Sequence, residues 1–261
     1  MNMSLQTQTP IRVFIGYDSQ EAVAYHVLAH SILRHASHPV SITPVMLSQL
    51  QNYYARPPHN LASTEFSFSR FLVPFLCNYE GWAIFMDCDM LCRTDISQLW
   101  AQQDDDYAVQ VVKHDHKPVN AHKFNNHVQT RYEKKNWSSV MLMNCNRCRA
   151  LTPDYVNNAS GLQLHQFKWL RSDREIGTID PAWNHLVGAD LYDRSAALVH
   201  FTEGGPYFNA YRDCDYSDEW FRERELQTSV VDHSAPQVTL NPESDANLTA
   251  QAASGASAPS T

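Results

Sequence analysis

The chain has 261 residues, with 28 acidic against 20 basic side chains and a formal net charge of −8. A chain of this length buries one sizeable core, and an acidic balance argues against a nucleic-acid footprint, which needs a basic face. Its apolar runs are too short to span a bilayer.

The first ten residues are polar, are expected to be flexible, and lack the apolar stretch of an export signal. Residues 11–15 read as a buried first strand that ends at Gly16, Tyr17 and Asp18. Residues 19–34 read as a helix, with Val23, Val27 and Ile32 near one face and capping residues at its start. A second strand is expected over 40–47 and a second helix over 64–78, despite Pro74. Residues 82–86 read as the central strand. Further strands are expected over 107–112, 140–143 and 196–201, and a short charged helix over 220–227. Strands alternating with helices imply an α/β layer with a mixed, mostly parallel sheet flanked by helices. The polar stretch 113–139 reads as a functional loop. From residue 228 to 261 the chain is rich in Ser, Ala, Pro, Asn and Thr without apolar periodicity, and is expected to be a disordered tail. The folded domain is therefore placed at 11–227.

The strand at 82–86 runs straight into Asp87-Cys88-Asp89. Carboxylates at i and i+2 on extended backbone point to one side. Two like charges at a strand end need compensation, and a hard divalent cation such as Mg²⁺ or Mn²⁺ is the usual source. Ligands of open α/β sheets also bind at the carboxyl ends of strands. His200 lies at the end of the apolar run 196–201 and is the candidate third ligand, with a strand-end histidine before an ordinary turn as the plain alternative. The glycine turn behind it, Gly204 and Gly205, would admit phosphate oxygens to backbone N–H groups. Tyr17 and Asp18 are candidates for a nucleotide pocket, with an Asp helix cap as the plain alternative for Asp18. Arg70 sits among aromatic residues and is a candidate to fork onto a carboxylate or phosphate, with snorkelling or the ordering of Asp87 from behind as the structural alternatives. His114 and His116 are weaker candidates, and Trp183 and Asn184 suggest the lining of a cleft, with a buried Asn pinning a loop as the equally plain alternative for Asn184. The six scattered cysteines read as reduced thiols in a cytoplasm, with Cys77, Cys88 and Cys145 as core residues. A zinc site from Cys145, Cys148, Cys88 and Cys92 is the less favoured reading.

Taken in order, these segments resemble the nucleotide-sugar glycosyltransferases of the GT-A fold, most closely glycosyltransferase family 8. The resemblance rests on residues 14–18, Ser69-Arg70-Phe71, residues 85–91, residues 136–144 and Val199-His200-Phe201. It implies that Asp87, Asp89 and His200 hold Mn²⁺ or Mg²⁺ on a nucleoside diphosphate, most often UDP. Tyr17 and Asp18 would line the base and ribose pocket. Arg70, Trp137, Ser138 and Ser139 would lie near the donor sugar. The implied partners are a nucleotide-sugar donor and a glycan, lipid or protein acceptor, with retention of anomeric configuration and at most peripheral membrane contact. Two features depart from the family. Gly205-Pro206-Tyr207-Phe208 replaces its Lys-Pro-Trp sequence, leaving Lys134 or Lys135 as substitutes for the diphosphate-binding lysine. Residues 162–167 lack the carboxylate of its acidic, amide-rich motif. The alternatives are a haloacid-dehalogenase-type phosphatase, which also uses an Asp-x-Asp, and a non-catalytic sugar-nucleotide-binding protein.

Overall fold

A computed structural model describes residues 9–57, 64–114 and 133–229. The chain divides into two units, Met1–Gln227 and Thr228–Thr261. Most of the second unit, residues 1–8, and the part of the expected loop that contains His116 lie outside the described residues.

The strands are β1 (Ile11–Gly16), β2 (Val40–Val45), β3 (Trp82–Met86), β4 (Met90–Cys92), β5 (Val109–Val111), β6 (Val140–Asn144), β7 (Ile176–Thr178), β8 (His185–Leu186) and β9 (Leu198–His200). The helices are α1 (Ala22–His35), α2 (Val73–Leu76), α3 (Ser97–Trp100), α4 (Pro153–Asn158), α5 (Gly161–His165) and α6 (Ser217–Thr228). Six strands form one sheet in the order β2-β1-β3-β6-β5-β7. β6 is antiparallel to both of its neighbours, and every other pairing in that sheet is parallel. The sheet is thus mixed and mostly parallel. β1, β3 and β6 are buried almost throughout, which is why they read as continuous apolar runs rather than alternating ones.

A second sheet, β4-β9-β8, is short. Its β4 runs antiparallel to β9 with Met90 opposite His200, and β8 runs parallel to β9. α1 serves both layers. Leu28 and Ile32 join the main core, whereas Val27 packs with Leu91, Val199, Phe201 and Trp220 beneath the small sheet.

Several boundaries differ from expectation for physical reasons. The buried face of α1 is Ala24, Val27, Leu28, Ser31 and Ile32, a regular helical spacing. Val23 lies roughly a hundred degrees from the centre of that face and is 37% exposed. The helix expected over 64–78 is broken into a 3-10 turn, Ser69–Leu72, followed by α2. Pro74 cannot donate the bond that a continuous helix would need, and it sits instead in the first turn of α2, where none is required. The left-handed residues Asn78 and Tyr79 then end the segment. The late strand shortens to Leu198–His200 and belongs to the small sheet. The final helix is longer than expected. Its Glu223 is buried and accepts from Arg34 Nε at 2.9 Å and Nη2 at 2.6 Å, with His30 Nδ1 2.6 Å away.

Candidate metal and donor site

The site forms where the two sheets meet at the end of β3. The Asp87 N–H donates to the Ser139 carbonyl at 2.9 Å, which extends the β3–β6 ladder by one residue. The chain then bends. Cys88 turns into the core, while Asp87 and Asp89 stay half-buried. The Asp89 carbonyl accepts from Phe201 N–H at 2.9 Å, continuing the β4–β9 ladder. This register carries His200 to the acidic pair, with His200 Nε2 3.3 Å from Asp89 Oδ1. Ligand atoms of Asp87, Asp89 and His200 all lie within 4.8 Å of one another. Among the described residues, they are the one group of three such side chains close enough to share an ion. The cysteines form no comparable cluster among the described residues, and all six are outside disulfides.

The acidic pair and the histidine are each held by a further residue. Arg70 Nη1 pairs with Asp87 Oδ1 at 2.6 Å and also donates to the Ser138 carbonyl at 2.9 Å. Its Nε donates to the Ser67 carbonyl at 3.1 Å, and its guanidinium lies 5.2 and 5.1 Å from the Phe66 and Phe85 ring centres. The contact to Asp87 is the ordering of that carboxylate considered from sequence. Asn184, 0% exposed, meets His200 Nδ1 with its Oδ1 at 3.0 Å. Its Nδ2 donates to Ser139 Oγ at 3.0 Å and to the Asn136 carbonyl at 3.2 Å. Asn184 and Ser139 are thus built into the support of His200. With His200 neutral, Asp87, Asp89 and Arg70 sum to one negative charge, so a divalent cation is electrostatically welcome among them.

The remaining candidates occupy varied places. Asp18 is buried and accepts from the backbone N–H groups of Gln20 at 2.9 Å and Glu65 at 3.0 Å, the capping role considered from sequence. Tyr17 is half-buried, edge-on to Tyr25. Ser138 Oγ meets His165 Nδ1 at 2.7 Å. Trp137 donates through Nε1 to the His114 carbonyl at 2.9 Å. Lys134 pairs with Asp173 at 2.6 Å, and Lys135 is buried. Gly204 has a φ of 147°, which favours glycine, and a side chain at Gly205 would collide with the Tyr207 ring. Packing against tyrosine therefore explains Gly205 without any ligand.

Two neighbours escaped the sequence reading. Glu21 is buried and accepts a hydrogen bond from the Tyr207 hydroxyl. Burial first, then the charge of Asp89, pushes its carboxyl up to about 8, while Tyr207 opposes that shift. In sequence Glu21 is an ordinary acidic residue in a first helical turn. The other neighbour is His165, which burial and then Arg70 hold down to about 3. No local pattern distinguishes it from the other histidines.

The same architecture occurs in solved glycosyltransferases. The bifunctional glycosyltransferase WbbM in its apo form matches 83% of this chain and 50% of its own at a TM-score of 0.57 and 14% identity. The apo-form glycosyltransferase GlyE of Streptococcus pneumoniae TIGR4 matches 83% of this chain and 60% of its own, at 0.56 and 13%. The galactosyltransferase LgtC, in complex with donor and acceptor sugar analogues, matches 84% and 97%, at 0.53 and 12%. The chain thus spans about half the length of WbbM and three fifths of GlyE. The likeness shows that the fold is the GT-A glycosyltransferase fold. No family model matches the chain, so the expected kinship to family 8 rests on motifs alone. Protein CDI of Arabidopsis thaliana is 44% identical over 233 residues, which cover 86% of this chain and 90% of that protein. The chain belongs to the family of Protein CDI.

Proposed function

We propose that the protein is a metal-dependent glycosyltransferase that moves a sugar from a nucleoside-diphosphate donor, UDP-sugars first among them, to a glycan, lipid or protein acceptor. One observation carries this reading: Asp87, Asp89 and His200 converge at the carboxyl end of β3 in a GT-A fold. Two carboxylates and one imidazole nitrogen suit Mn²⁺, and Mg²⁺ is the alternative. Bound there, the ion would act as a Lewis acid toward the departing diphosphate. Arg70 keeps Asp87 oriented, and Asn184 does the same for His200. Retention of anomeric configuration is part of the proposal and is supported by the family-8 resemblance. We also place its action in the cytoplasm, a reading supported by six free thiols, five of them buried. Among the described residues no helix is long and apolar enough to cross a membrane.

A second reading has one observation in its favour. Where family 8 carries a lysine for the diphosphate, this chain has Tyr207, partly buried against Trp220 and hydrogen-bonded to Glu21. A sugar-nucleotide-binding protein without turnover would need no such cation. A panel of nucleotide sugars with Mn²⁺, scored for donor hydrolysis, separates the two. Turnover with one donor, abolished in Asp89→Ala while the melting temperature is kept, supports the transferase. Donor-dependent thermal stabilisation without product supports the binding protein. Equal turnover in Asp89→Ala would remove the acidic pair from the chemistry.

A further inference from the structure

We infer that Asn184 is a positioning residue that locks His200 into the tautomer protonated on Nδ1, leaving the Nε2 lone pair directed at the acidic pair. The role of that lone pair rests on the metal reading above; the tautomer itself does not.

Counting the hydrogens around Asn184 fixes the tautomer. Asn136 has left-handed backbone, with φ 64°, and its carbonyl can only accept. It accepts from Ser139 Oγ at 2.5 Å and from Asn184 Nδ2 at 3.2 Å. The single hydroxyl hydrogen of Ser139 is used on Asn136, so its oxygen accepts from Asn184 Nδ2 at 3.0 Å. Both Nδ2 hydrogens are then committed, and the amide cannot be turned round without placing its oxygen against two acceptors. Oδ1 must therefore face His200, and it too can only accept. The 3.0 Å contact requires a hydrogen on His200 Nδ1.

In the neutral ring the other nitrogen then carries a lone pair. It lies 3.3 Å from Asp89 Oδ1, another acceptor. Two electron pairs facing each other in a buried site repel unless positive charge sits with them, which either a second ring proton or a metal ion shared by His200 and Asp89 supplies. Metal-bound histidines generally donate their second nitrogen to a group that fixes the ring, and loss of that group weakens metal binding about 10–100-fold. Asn184, Ser139 and Asn136 fill this role here. The turn at 136–139 also accepts from Arg70 through the Ser138 carbonyl and from Asp87 N–H through the Ser139 carbonyl. One turn thus references the positions of both Asp87 and His200.

The test combines ¹⁵N-histidine NMR of the metal-free protein in mildly alkaline buffer with Mn²⁺ titration followed by electron paramagnetic resonance. The wild type is expected to show a protonated Nδ1 and a bare Nε2 at His200. Asn184→Leu is expected to mix the tautomers and weaken Mn²⁺ by about 10–100-fold. Ser139→Ala is a milder perturbation of the same chain and should shift both readouts in the same direction if Asn184→Leu does not fold. A wild-type His200 protonated on Nε2, or a folded Asn184→Leu with the wild-type tautomer, overturns the inference. A wild type with the expected tautomer but no Mn²⁺ binding sinks the metal reading and leaves the positioning of His200 standing.

Discussion

Arg70→Met tests how much of the site's architecture depends on one buried charge. Arg70 is 5% exposed and makes a 2.6 Å ion pair with Asp87 plus hydrogen bonds to two backbone carbonyls. Methionine keeps the aliphatic contact between Phe66 and Phe85 but removes every one of these donors. Breaking a buried pair from one side typically costs about 3–5 kcal/mol. Asp87 retains some access to water, its side chain being 14% exposed, which puts the expected loss near the lower end, about 3 kcal/mol. For a domain of this size that corresponds to a fall in Tm of about 6–12 °C. The same change removes the cation paired with Asp87, so Mn²⁺ should raise the Tm of the variant by more than it raises that of the wild type. Thermal denaturation followed by circular dichroism, with and without Mn²⁺, measures both effects. Arg70→Met/Asp87→Asn should be less destabilised than the sum of the single variants by about 2 kcal/mol. A variant that melts within about 2 °C of the wild type, or single changes that simply add, would refute the ion pair as the support of Asp87.

Two further outcomes follow from titratable groups buried elsewhere. Glu223→Gln should cost about 2 kcal/mol in urea or thermal denaturation, because Glu223 is the buried acceptor that ties α6 to Arg34 and His30 of α1. Burial works against its ionised form, but the bonds from Arg34 and His30 prevail and its carboxyl sits below the ordinary value. Its stabilisation is therefore present above the unfolded carboxylate pKa and is lost as pH falls, so the wild type should lose stability in acid more steeply than Glu223→Gln. His165 has the same sign for a different reason. Its folded pKa is lowered to about 3, mainly by burial, so between the unfolded value and about 3 only the unfolded chain takes up the proton. Stability should fall as pH drops below about 6.5, by about 2 kcal/mol at about pH 5, and His165→Asn should remove that component of the slope. An unchanged pH profile in that variant would show that His165 is accessible to protons in the fold.

The parts of this protein readable from sequence are those with a local cause. β1, β3 and β6 announce themselves because strands buried on both faces must be apolar along their whole length, and the acidic pair stands out because it interrupts such a run. His200 was legible as the polar end of another run. The two-residue β8 and the three-residue β4 carry no such signal. They are strands because β9 lies between them, and their pairing is a matter of register between segments far apart in the chain. That register, Met90 opposite His200, is what turns a strand-end histidine into a neighbour of Asp89. The break at 64–78 was likewise hidden, since its apolar spacing suits a helix and only Pro74 with the left-handed residues after it forbids one. Asn184, Ser139 and Arg70 have polar groups that would serve a ligand or the protein equally well. Which they serve depends on direction, and the direction of a buried hydrogen bond is set by the three-dimensional neighbours that leave it one acceptor to choose. Residue type decided that a cation site was available to this chain; tertiary packing alone decided which side chains support its ligands.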